Sequence, residues 1–354
     1  MIVKNLSGEN FRNLLPFSVE FYEDTNIIYG NNAQGKTNLI EAVWLFTGAK
    51  SFRGAKDSEM VAFGSNNASL KMSFVTGGTQ REAKITINNR RYAELDDKKL
   101  KSVSNLVGNF CATVFSPTDL GIIKEGPALR RRFLDLAIGQ LYPNYVTLLK
   151  EYSRALTQRN AILKEMDGRL RDSEMLDIFE AELAEKGEKI AKYRLDYCKN
   201  LTVSASSIYN ELSSLREELE AVYIPSIRED FGEQLYKARK IDIFSGITSV
   251  GPHRDEIDFK INGISARTFG SQGQQRSIAI ALKLAEAKNL LDITGEEPVI
   301  FFDDVMSELD KSRQGFILNH IKGKQVFITC PDKDNISGLI GGKVFTVDGG
   351  KIKG

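Results

Sequence analysis

Residues 30–37 read Gly30-Asn31-Asn32-Ala33-Gln34-Gly35-Lys36-Thr37 and match the phosphate-binding P-loop pattern G-x-x-x-x-G-K-[ST] without a mismatch. Residues 25–29 before this stretch are predicted to form a short buried strand, and residues 36–46 after it carry apolar side chains at helical spacing. The glycines let backbone N–H groups turn toward a polyphosphate at a helix N-terminus, where the helix dipole favours anions. Lys36 is expected to reach the β- and γ-phosphates, and the hydroxyl of Thr37 to bind Mg²⁺. The sequence therefore predicts a nucleoside triphosphate site.

Bulk composition is that of a soluble protein long enough for two domains, with 354 residues, 27% charged residues and a net charge of +1. The three cysteines Cys111, Cys198 and Cys330 have no metal-ligand spacing, and their odd number argues against a disulfide framework. The N-terminus lacks the apolar core of a signal peptide, and no apolar run is long enough to span a membrane. We therefore expect a cytoplasmic protein without membrane attachment.

The N-terminal part of the chain alternates apolar and polar residues in several short runs, which predicts strands at residues 17–21, 69–74 and 83–87. Residues 50–101 carry 11 Lys and Arg against 6 Asp and Glu. Such an excess of positive charge suits contacts with DNA phosphates, although it also suits a merely solvated face. The residues chosen as candidate DNA contacts are Lys50, Arg53, Lys56, Arg90 and Arg91.

The middle of the chain is predicted to be helical. Pro127 suits a helix start, and apolar residues recur at three- and four-residue intervals from there to Tyr152. Two more helical stretches are predicted at residues 179–197 and 201–215, and their repeat is too short for a long coiled coil. We predict an α/β head with a mixed sheet and an inserted helical arm. The predicted intervals are 1–108 (head, N-terminal lobe), 109–244 (mainly α-helical arm) and 245–354 (head, C-terminal lobe).

A second half of the nucleotide site is predicted at residues 299–304, an apolar strand that ends in two carboxylates. The C-terminal end of such a buried strand is where a P-loop fold places the carboxylate that holds Mg²⁺, so Asp303 is the candidate metal ligand. Asp304 is expected to orient or deprotonate the attacking water. Because residues 38–298 separate the two halves, an ordinary P-loop kinase or GTPase is disfavoured.

A second anion-binding helix start is predicted at Ser271, Gly273 and Gln274, ahead of a helix over residues 277–290. One chain already has a phosphate loop. The additional phosphate is therefore expected to come from another subunit, with residues 307–310 packed across the interface between the two chains.

The order of these motifs resembles the ABC-type head of the SMC-like DNA-repair ATPases. It runs from a Phe-Arg-Asn stretch that contains Arg12, through the P-loop and a Ser-x-Gly-Gln-x-Arg stretch, to Asp-Asp and Ser-Glu-Leu-Asp. Residues 48–53, 126–135 and 251–255 narrow the resemblance to the RecF family of bacterial DNA replication and repair proteins.

The resemblance assigns roles to these residues. It implies that residues 30–37 are the Walker A motif, 271–276 the signature motif, 303–304 the Walker B motif and 307–310 the D-loop. It also implies that Arg12 approaches the phosphates. The implied activity is that of an ATP- and Mg²⁺-dependent homodimer that clamps single- and double-stranded DNA at gaps, junctions or stalled forks and hydrolyses ATP slowly. The implied partner is RecR, with which the protein would load recombinase, and a link to the SOS response is implied as well.

Three features depart from the wider ABC pattern. Asp304 stands where a glutamate is usual, and the strand over residues 325–330 ends without the switch histidine. After Phe115, Ser116 stands where the Q-loop glutamine is expected. Two alternatives from other classes are the ATPase subunit of a membrane transporter, which the missing histidine and the Phe-Arg-Asn stretch disfavour, and a passive DNA-binding scaffold.

Overall fold

The computed structural model describes residues 1–169, 173–214, 216–331 and 342–354. Its strands are β1 (Ile2–Glu9), β2 (Phe17–Glu20), β3 (Thr25–Tyr29), β4 (Ala68–Thr76), β5 (Thr79–Ile87), β6 (Arg91–Leu95), β7 (Lys98–Lys99), β8 (Ala112–Phe115), β9 (Leu219–Ile224), β10 (Glu256–Ile261), β11 (Ile264–Ser265), β12 (Val299–Asp303), β13 (Val326–Cys330), β14 (Lys343–Asp348) and β15 (Lys351–Lys353). Its α-helices are α1 (Lys36–Trp44), α2 (Leu120–Lys124), α3 (Pro127–Gly139), α4 (Pro143–Met166), α5 (Glu174–Leu212), α6 (Phe231–Ser245), α7 (Ala266–Phe269), α8 (Gln272–Thr294) and α9 (Lys311–His320).

A central sheet positions the two halves of the predicted nucleotide site. Its strand order is β15-β14-β3-β13-β12-β8, parallel from β14 to β8, with β15 antiparallel at one edge. β12 and β13 are buried along their whole length, as expected for apolar strands covered on both faces. Only β13 lies between β3, which leads into the P-loop, and β12, which ends in Asp303. The mixed sheet predicted from the sequence is therefore confirmed.

A second sheet forms the N-terminal lobe, in the antiparallel order β2-β1-β4-β5-β6-β7. The apolar side chains of α1, this sheet and one face of the central sheet belong to one buried cluster. Because strand side chains alternate between faces, the opposite face of the antiparallel sheet carries charged residues such as Lys71 and Glu82. The helix that begins at the P-loop is thus packed between the two sheets.

The helical region differs from its prediction in two respects. The stretches predicted at 179–197 and 201–215 are parts of one helix, the 39-residue α5, within the described range that ends at residue 214. Leu215, the last residue of the predicted stripe, lies outside the described residues. The apolar repeat from Pro127 to Tyr152 is divided into α3 and α4, because Pro143 starts a new helix.

The predicted arm interval also contributes to the head. β8 lies within residues 109–244, yet it pairs in parallel with β12 and forms the edge of the central sheet. β9, from the same interval, pairs with β10 in a small three-stranded sheet with β11. Both pairings join segments far apart in the sequence, so local sequence patterns do not reveal them. The division at residues 108 and 244 otherwise stays a prediction.

Candidate nucleotide-binding site

The P-loop is held in shape by its own lysine. The Nζ atom of Lys36 donates to the carbonyl oxygens of Gly30 over 2.7 Å and Asn31 over 3.3 Å, and the side chain is only 4% exposed. Gly35 precedes α1 with φ of 120°, and a Cβ atom there would lie 2.8 Å from Leu14. A residue with a side chain would be strained at this position, which is why the motif needs glycine there.

Two other segments support the outside of the loop. The Nδ2 atom of Asn13 donates to the carbonyl oxygen of Ala33 over 3.2 Å. The turn of the β14–β15 hairpin contacts Gln34 twice. The backbone N–H of Gly349 donates to Oε1 of Gln34 over 2.5 Å, and the backbone N–H of Gly350 donates to the carbonyl oxygen of Gln34 over 3.1 Å. Gln34 thus faces the C-terminal hairpin, so its predicted contribution to nucleotide binding lies in fixing the loop backbone.

The structure brings Thr37 and Asp303 together. The hydroxyl of Thr37 donates to Oδ1 of Asp303 over 2.7 Å, and the hydroxyl of Thr329 donates to the same atom over 3.0 Å. Burial raises the pKa of the Asp303 carboxyl above its ordinary value of 3.8, and the neighbouring Asp304 adds to this, whereas the two threonine hydroxyls act in the opposite direction. A buried carboxylate beside a hydroxyl offers two hard oxygen ligands.

Asp304 occupies a different position from its neighbour. Its backbone has φ of 56°, and its N–H donates to Oγ1 of Thr329 over 2.9 Å. The carboxylate is 35% exposed and lies 3.9 Å from Nζ of Lys36. Both predicted carboxylates therefore reach the P-loop from the end of β12, one buried at Thr37 and the other facing the lysine and solvent.

Arg12 points to a carboxylate that the sequence analysis did not single out. Its Nε and Nη2 atoms donate to the two oxygens of Glu41 over 2.9 and 3.0 Å, and its Nη1 atom donates to the carbonyl oxygen of Glu59 over 2.8 Å. Glu41 is 0% exposed. A charged residue within the apolar run 39–44 is the sequence signal that could have indicated it.

The predicted second anion site is the N-terminus of α8, which begins at Gln272 rather than near residue 277. The hydroxyl of Ser271 accepts from the N–H of Gln274 over 3.2 Å, and Oε1 of Gln274 accepts from the N–H of Ser271 over 2.8 Å, a capping box. The Nε2 atom of Gln274 also donates to Glu217 over 2.7 Å. Among the described residues, no hydrogen bond joins residues 271–274 to the P-loop. Ser271 itself is exposed.

The signature stretch is tied to the predicted D-loop within the chain. The Nη1 atom of Arg276 donates to the carbonyl oxygen of Glu308 over 3.0 Å. The Nη2 atom of Arg313, on α9, donates to the carbonyl oxygen of Gly273 over 3.1 Å. Residues 271–276 and 306–313 therefore form one surface.

Four of the five candidate DNA contacts are exposed. Lys50, Lys56 and Arg90 face solvent. Arg53 is 44% exposed, donates to Oδ1 of Asn38 over 2.8 Å and belongs with Lys50 and Lys56 to the segment 50–56, here called the basic loop. The basic loop thus presents three exposed cations, and their contact with DNA stays a prediction.

Arg91 does not fit the prediction. Its side chain is only 10% exposed, with Nε 2.9 Å from Oδ1 of Asp57 and Nη1 donating to the carbonyl oxygen of Ala49 over 2.7 Å. Burial lowers the pKa of the guanidinium, and the nearby Asp57 counteracts this. Arg91 is therefore a structural residue. It was chosen as a candidate because counting charges in a sequence cannot distinguish a buried ion pair from a free cation.

Three comparisons with known proteins agree. A family model described as "RecF/RecN/SMC N terminal domain" matches residues 2–341. The chain is 38% identical over 347 residues, 94% of each chain, to the DNA replication and repair protein RecF of Acetivibrio thermocellus. It is 39% identical over 368 residues, 99% of each chain, to that of Ruminiclostridium cellulolyticum. This chain belongs to the RecF family. The family predicted from the motif order is thereby confirmed.

Solved structures extend the RecF comparison to the whole fold. The structure described as "the recombination mediator protein RecF-ATPrS in RecFOR pathway" has a TM-score of 0.91 and 37% identity, covering 99% of this chain and 97% of its own. The corresponding RecF-ATP structure has a TM-score of 0.90. An Smc head domain from Pyrococcus furiosus, at 16% identity and a TM-score of 0.54, shares the fold. The head fold predicted from the sequence is confirmed, and none of these relatives supports the transporter alternative.

Residues in the stretches that narrowed the resemblance to RecF make ion pairs and hydrogen bonds within the chain. Arg130 forms an ion pair with Glu256, and the Nη1 atom of Arg131 donates to the carbonyl oxygen of Asp255 over 2.9 Å. Arg132 donates to the carbonyl oxygens of residues 51 and 52 over 3.2 and 2.6 Å. These contacts join α3 to the 251–255 turn and to the basic loop.

Among the described residues, no helix has the length and hydropathy to cross a membrane.

Proposed function

We propose that this RecF-family chain binds ATP with Mg²⁺ on residues 30–37 and uses the bound nucleotide to control its hold on DNA. The observation that carries this proposal is the 2.7 Å hydrogen bond between Thr37 and Asp303, which joins the first turn of α1 to the end of β12 at one edge of the central sheet. ATP appears in the description of a RecF structure that matches nearly the whole chain. Lys36 would contact the β- and γ-phosphates.

The oxygen ligands fit Mg²⁺. In P-loop proteins this ion takes one hydroxyl, one carboxylate contact made directly or through water, and phosphate oxygens, and it keeps several waters. Thr37 and Asp303 supply this pair. Among the described residues, no group of three or more His, Cys, Asp or Glu side chains could hold a metal. The ion would therefore arrive with the nucleotide, and Asp304 would orient or deprotonate the attacking water.

A second copy of the chain would complete the site. Ser271 is exposed at the start of the 23-residue α8, and its hydrogen bonds stay within its own cap. The N–H groups and dipole of such a helix start favour an anion. Two chains would sandwich two ATP molecules, with Ser271 and Gly273 of each facing the γ-phosphate held by the other. The link between residues 271–276 and the D-loop supports an interface that closes as one surface.

DNA would be held by the exposed cations of the N-terminal lobe, Lys50, Arg53, Lys56 and Arg90, through contacts with phosphates and without sequence readout. Curated relatives are named as DNA replication and repair proteins, and a matching structure is placed in the RecFOR pathway. These names support a role in DNA replication and repair within the RecFOR pathway. Beyond the names, the proposal includes DNA at gaps, junctions or stalled forks as the ligand, RecR as a partner in loading recombinase, a link to the SOS response and a cytoplasmic location.

Hydrolysis would be slow. The carboxylate of Asp304 is one methylene shorter than the usual glutamate, and the β13 strand ends in Cys330 rather than being followed by a switch histidine among the described residues. The second candidate function is a passive DNA-binding scaffold. An assay of ATP hydrolysis with and without DNA separates the two, since a scaffold would show no turnover in either condition.

The test of the proposed function is sedimentation of the purified chain with and without ATP and Mg²⁺, in the presence of short gapped DNA. We expect the chain to sediment as a monomer without nucleotide and as a DNA-bound dimer with ATP. A monomer that ignores ATP, or a dimer that forms equally well without it, would contradict the proposal.

A further inference from the structure

Glu41 connects the nucleotide pocket to the basic loop. It lies on α1 one helical turn after Thr37. Its fully buried carboxylate accepts both hydrogen bonds from Arg12, accepts another from the hydroxyl of Ser51 and lies 3.7 Å from Nη1 of Arg53. The negative charge of a buried carboxylate must be balanced by nearby cations or hydrogen-bond donors. One guanidinium in bidentate contact, such as that of Arg12, already supplies the balancing positive charge. Here one anion is shared by two cations from two separate segments.

The backbone of the basic loop is attached to the same helix. The hydroxyl of Ser51, besides donating to Glu41, accepts from the N–H of Arg53 over 3.2 Å. The Nε1 atom of Trp44, at the end of α1, donates to the carbonyl oxygen of Lys50 over 2.8 Å. The basic loop, which is the candidate DNA contact, is therefore attached to the last turn of α1. The first turn of the same helix would bind the phosphates.

We propose that Glu41 is a positioning residue that couples ATP binding to DNA binding through Arg12 and the basic loop. The inference rests on the proposed function and adds the residues that would couple the two binding sites within one chain. Three of the five N–H donors of the Arg12 guanidinium are engaged, two by the Glu41 carboxylate and one by the Glu59 carbonyl. A phosphate that draws Arg12 out of the bidentate contact would compete with Glu41 for the guanidinium. The carboxylate is then left to Arg53 and Ser51, and the position of the basic loop changes with it.

Reciprocal binding measurements test this coupling. The dissociation constant of ATP is measured with and without short gapped DNA, and that of the DNA with and without ATP and Mg²⁺, in the full chain. Coupling between two sites must be equal in both directions and is commonly about 5- to 150-fold. In Glu41→Gln, which keeps the side-chain shape and removes the charge, we expect this factor to fall to within about twofold of one. The affinity for ATP without DNA should weaken by no more than about threefold, because the P-loop donors are unchanged.

Two further variants make the result specific. Ser51→Ala removes one of the two links from Glu41 to the basic loop, together with the hydrogen bonds that this hydroxyl accepts inside the loop. It leaves the contact with Arg53 and the pair with Arg12 in place, so it should lower the coupling factor and preserve ATP affinity. Glu82→Gln is the matched control. Glu82 forms a 2.8 Å ion pair with Lys71 on the solvent-facing side of the antiparallel sheet, and its removal should leave the coupling factor as in the wild type.

The outcomes separate this inference from the proposed function. A folded Glu41→Gln chain with wild-type coupling would overturn the inference. If that variant does not fold, intact coupling in Ser51→Ala overturns it, and lost coupling supports it. A wild-type chain that binds ATP and DNA without mutual effect would overturn the inference while leaving both binding activities in place. A wild-type chain that binds no ATP would instead refute the proposed function, and the inference with it.

Discussion

The hydroxyl of Thr37 donates a hydrogen bond to Oδ1 of Asp303 over 2.7 Å, although the two residues are 266 positions apart in the chain. The contact exists because β3 and β12 are parallel strands separated by one strand, so their carboxyl ends lie at the same edge of the sheet. It joins the helix that starts the site to the strand that completes it.

Asp303→Asn should stabilise the ligand-free chain at neutral pH, because burial raises the pKa of the native carboxyl above 3.8. Because the pKa of the Asp303 carboxyl is higher in the folded chain than in the unfolded chain, ionisation of this carboxyl destabilises the folded chain. The loss grows as pH rises from the unfolded pKa through the folded pKa. The gain in the Asp303→Asn variant should therefore shrink as the pH is lowered from neutral toward 4, because less of the ionisation cost remains in the wild type. Denaturant unfolding at both pH values measures this. Asp310→Asn is the control of opposite sign, since hydrogen bonds from residue 313 lower the pKa of Asp310.

Lys36→Ala should weaken ATP binding by at least about 100-fold, since it removes a cation proposed to make charge-assisted hydrogen bonds with the β- and γ-phosphates. A nucleotide-binding assay on the folded variant measures the loss. Lys71→Ala, on the solvent-facing side of the lobe, serves as the control and should bind ATP as the wild type does. Unchanged affinity in Lys36→Ala would refute the site assignment.

Asp304→Asn should keep ATP binding and lower hydrolysis by about 10²-fold, because it removes the candidate base but keeps the side-chain shape. Asparagine also tolerates the positive φ of 56° at this position, so the backbone is not strained by the change. Steady-state hydrolysis and sedimentation should show slow turnover and an accumulated nucleotide-bound dimer. Wild-type turnover would remove Asp304 from the mechanism.

Ser271→Arg should leave ATP binding by the monomer nearly intact and block dimerisation, because a long side chain replaces a hydroxyl expected to face the partner's γ-phosphate. Ser271 also caps α8, and loss of a cap costs about 1 kcal/mol. Ser271→Ala loses the cap without adding bulk and separates the two effects. ATP-titrated sedimentation and a binding assay are the measurements. Dimerisation of Ser271→Arg, or a loss of ATP binding as severe as in Lys36→Ala, would contradict the two-chain site.

Replacing Lys50, Arg53 and Lys56 together by alanine should flatten the salt dependence of DNA binding, each lost phosphate contact reducing the slope by about 0.9 for duplex DNA. Arg91→Ala should behave differently, since its ion pair with Asp57 is internal, and it should lower thermal stability with little change in slope. Binding isotherms at several salt concentrations distinguish the two. An unaltered slope in the triple variant would mean that the basic loop is a solvated face.

The parts of the site that follow local rules were predictable from the sequence. Strand, P-loop and helix follow one another without interruption, and the apolar strand before Asp303 shows in its composition. The pairing of Arg12 with Glu41 was not predictable, because it joins two elements whose distance depends on the packing of α1 between two sheets. A side-chain partner of this kind leaves no periodic signal in the chain.

The continuity of α5 was also missed, for a physical reason. The buried residues of α5 recur every three or four positions along its whole length, but Glu180, Gly187 and Arg194 occupy three of these positions in place of apolar residues. Its apolar stripe therefore appears ragged over residues 179–197 and regular only beyond residue 201. Local periodicity suggested two helices where tertiary contacts sustain one.

The hairpin that supports Gln34 has a consequence for the order in which the site is made. Ribosomes complete residues 30–37 early, but β12, β13 and the β14–β15 hairpin emerge only after residue 298. A nascent chain that ends before that point carries the phosphate loop without Asp303, Thr329 or the Gly349 N–H that holds it. The pocket is therefore assembled only after residue 350 has been synthesised, and a shorter nascent chain lacks groups that fix the phosphate loop in the folded protein.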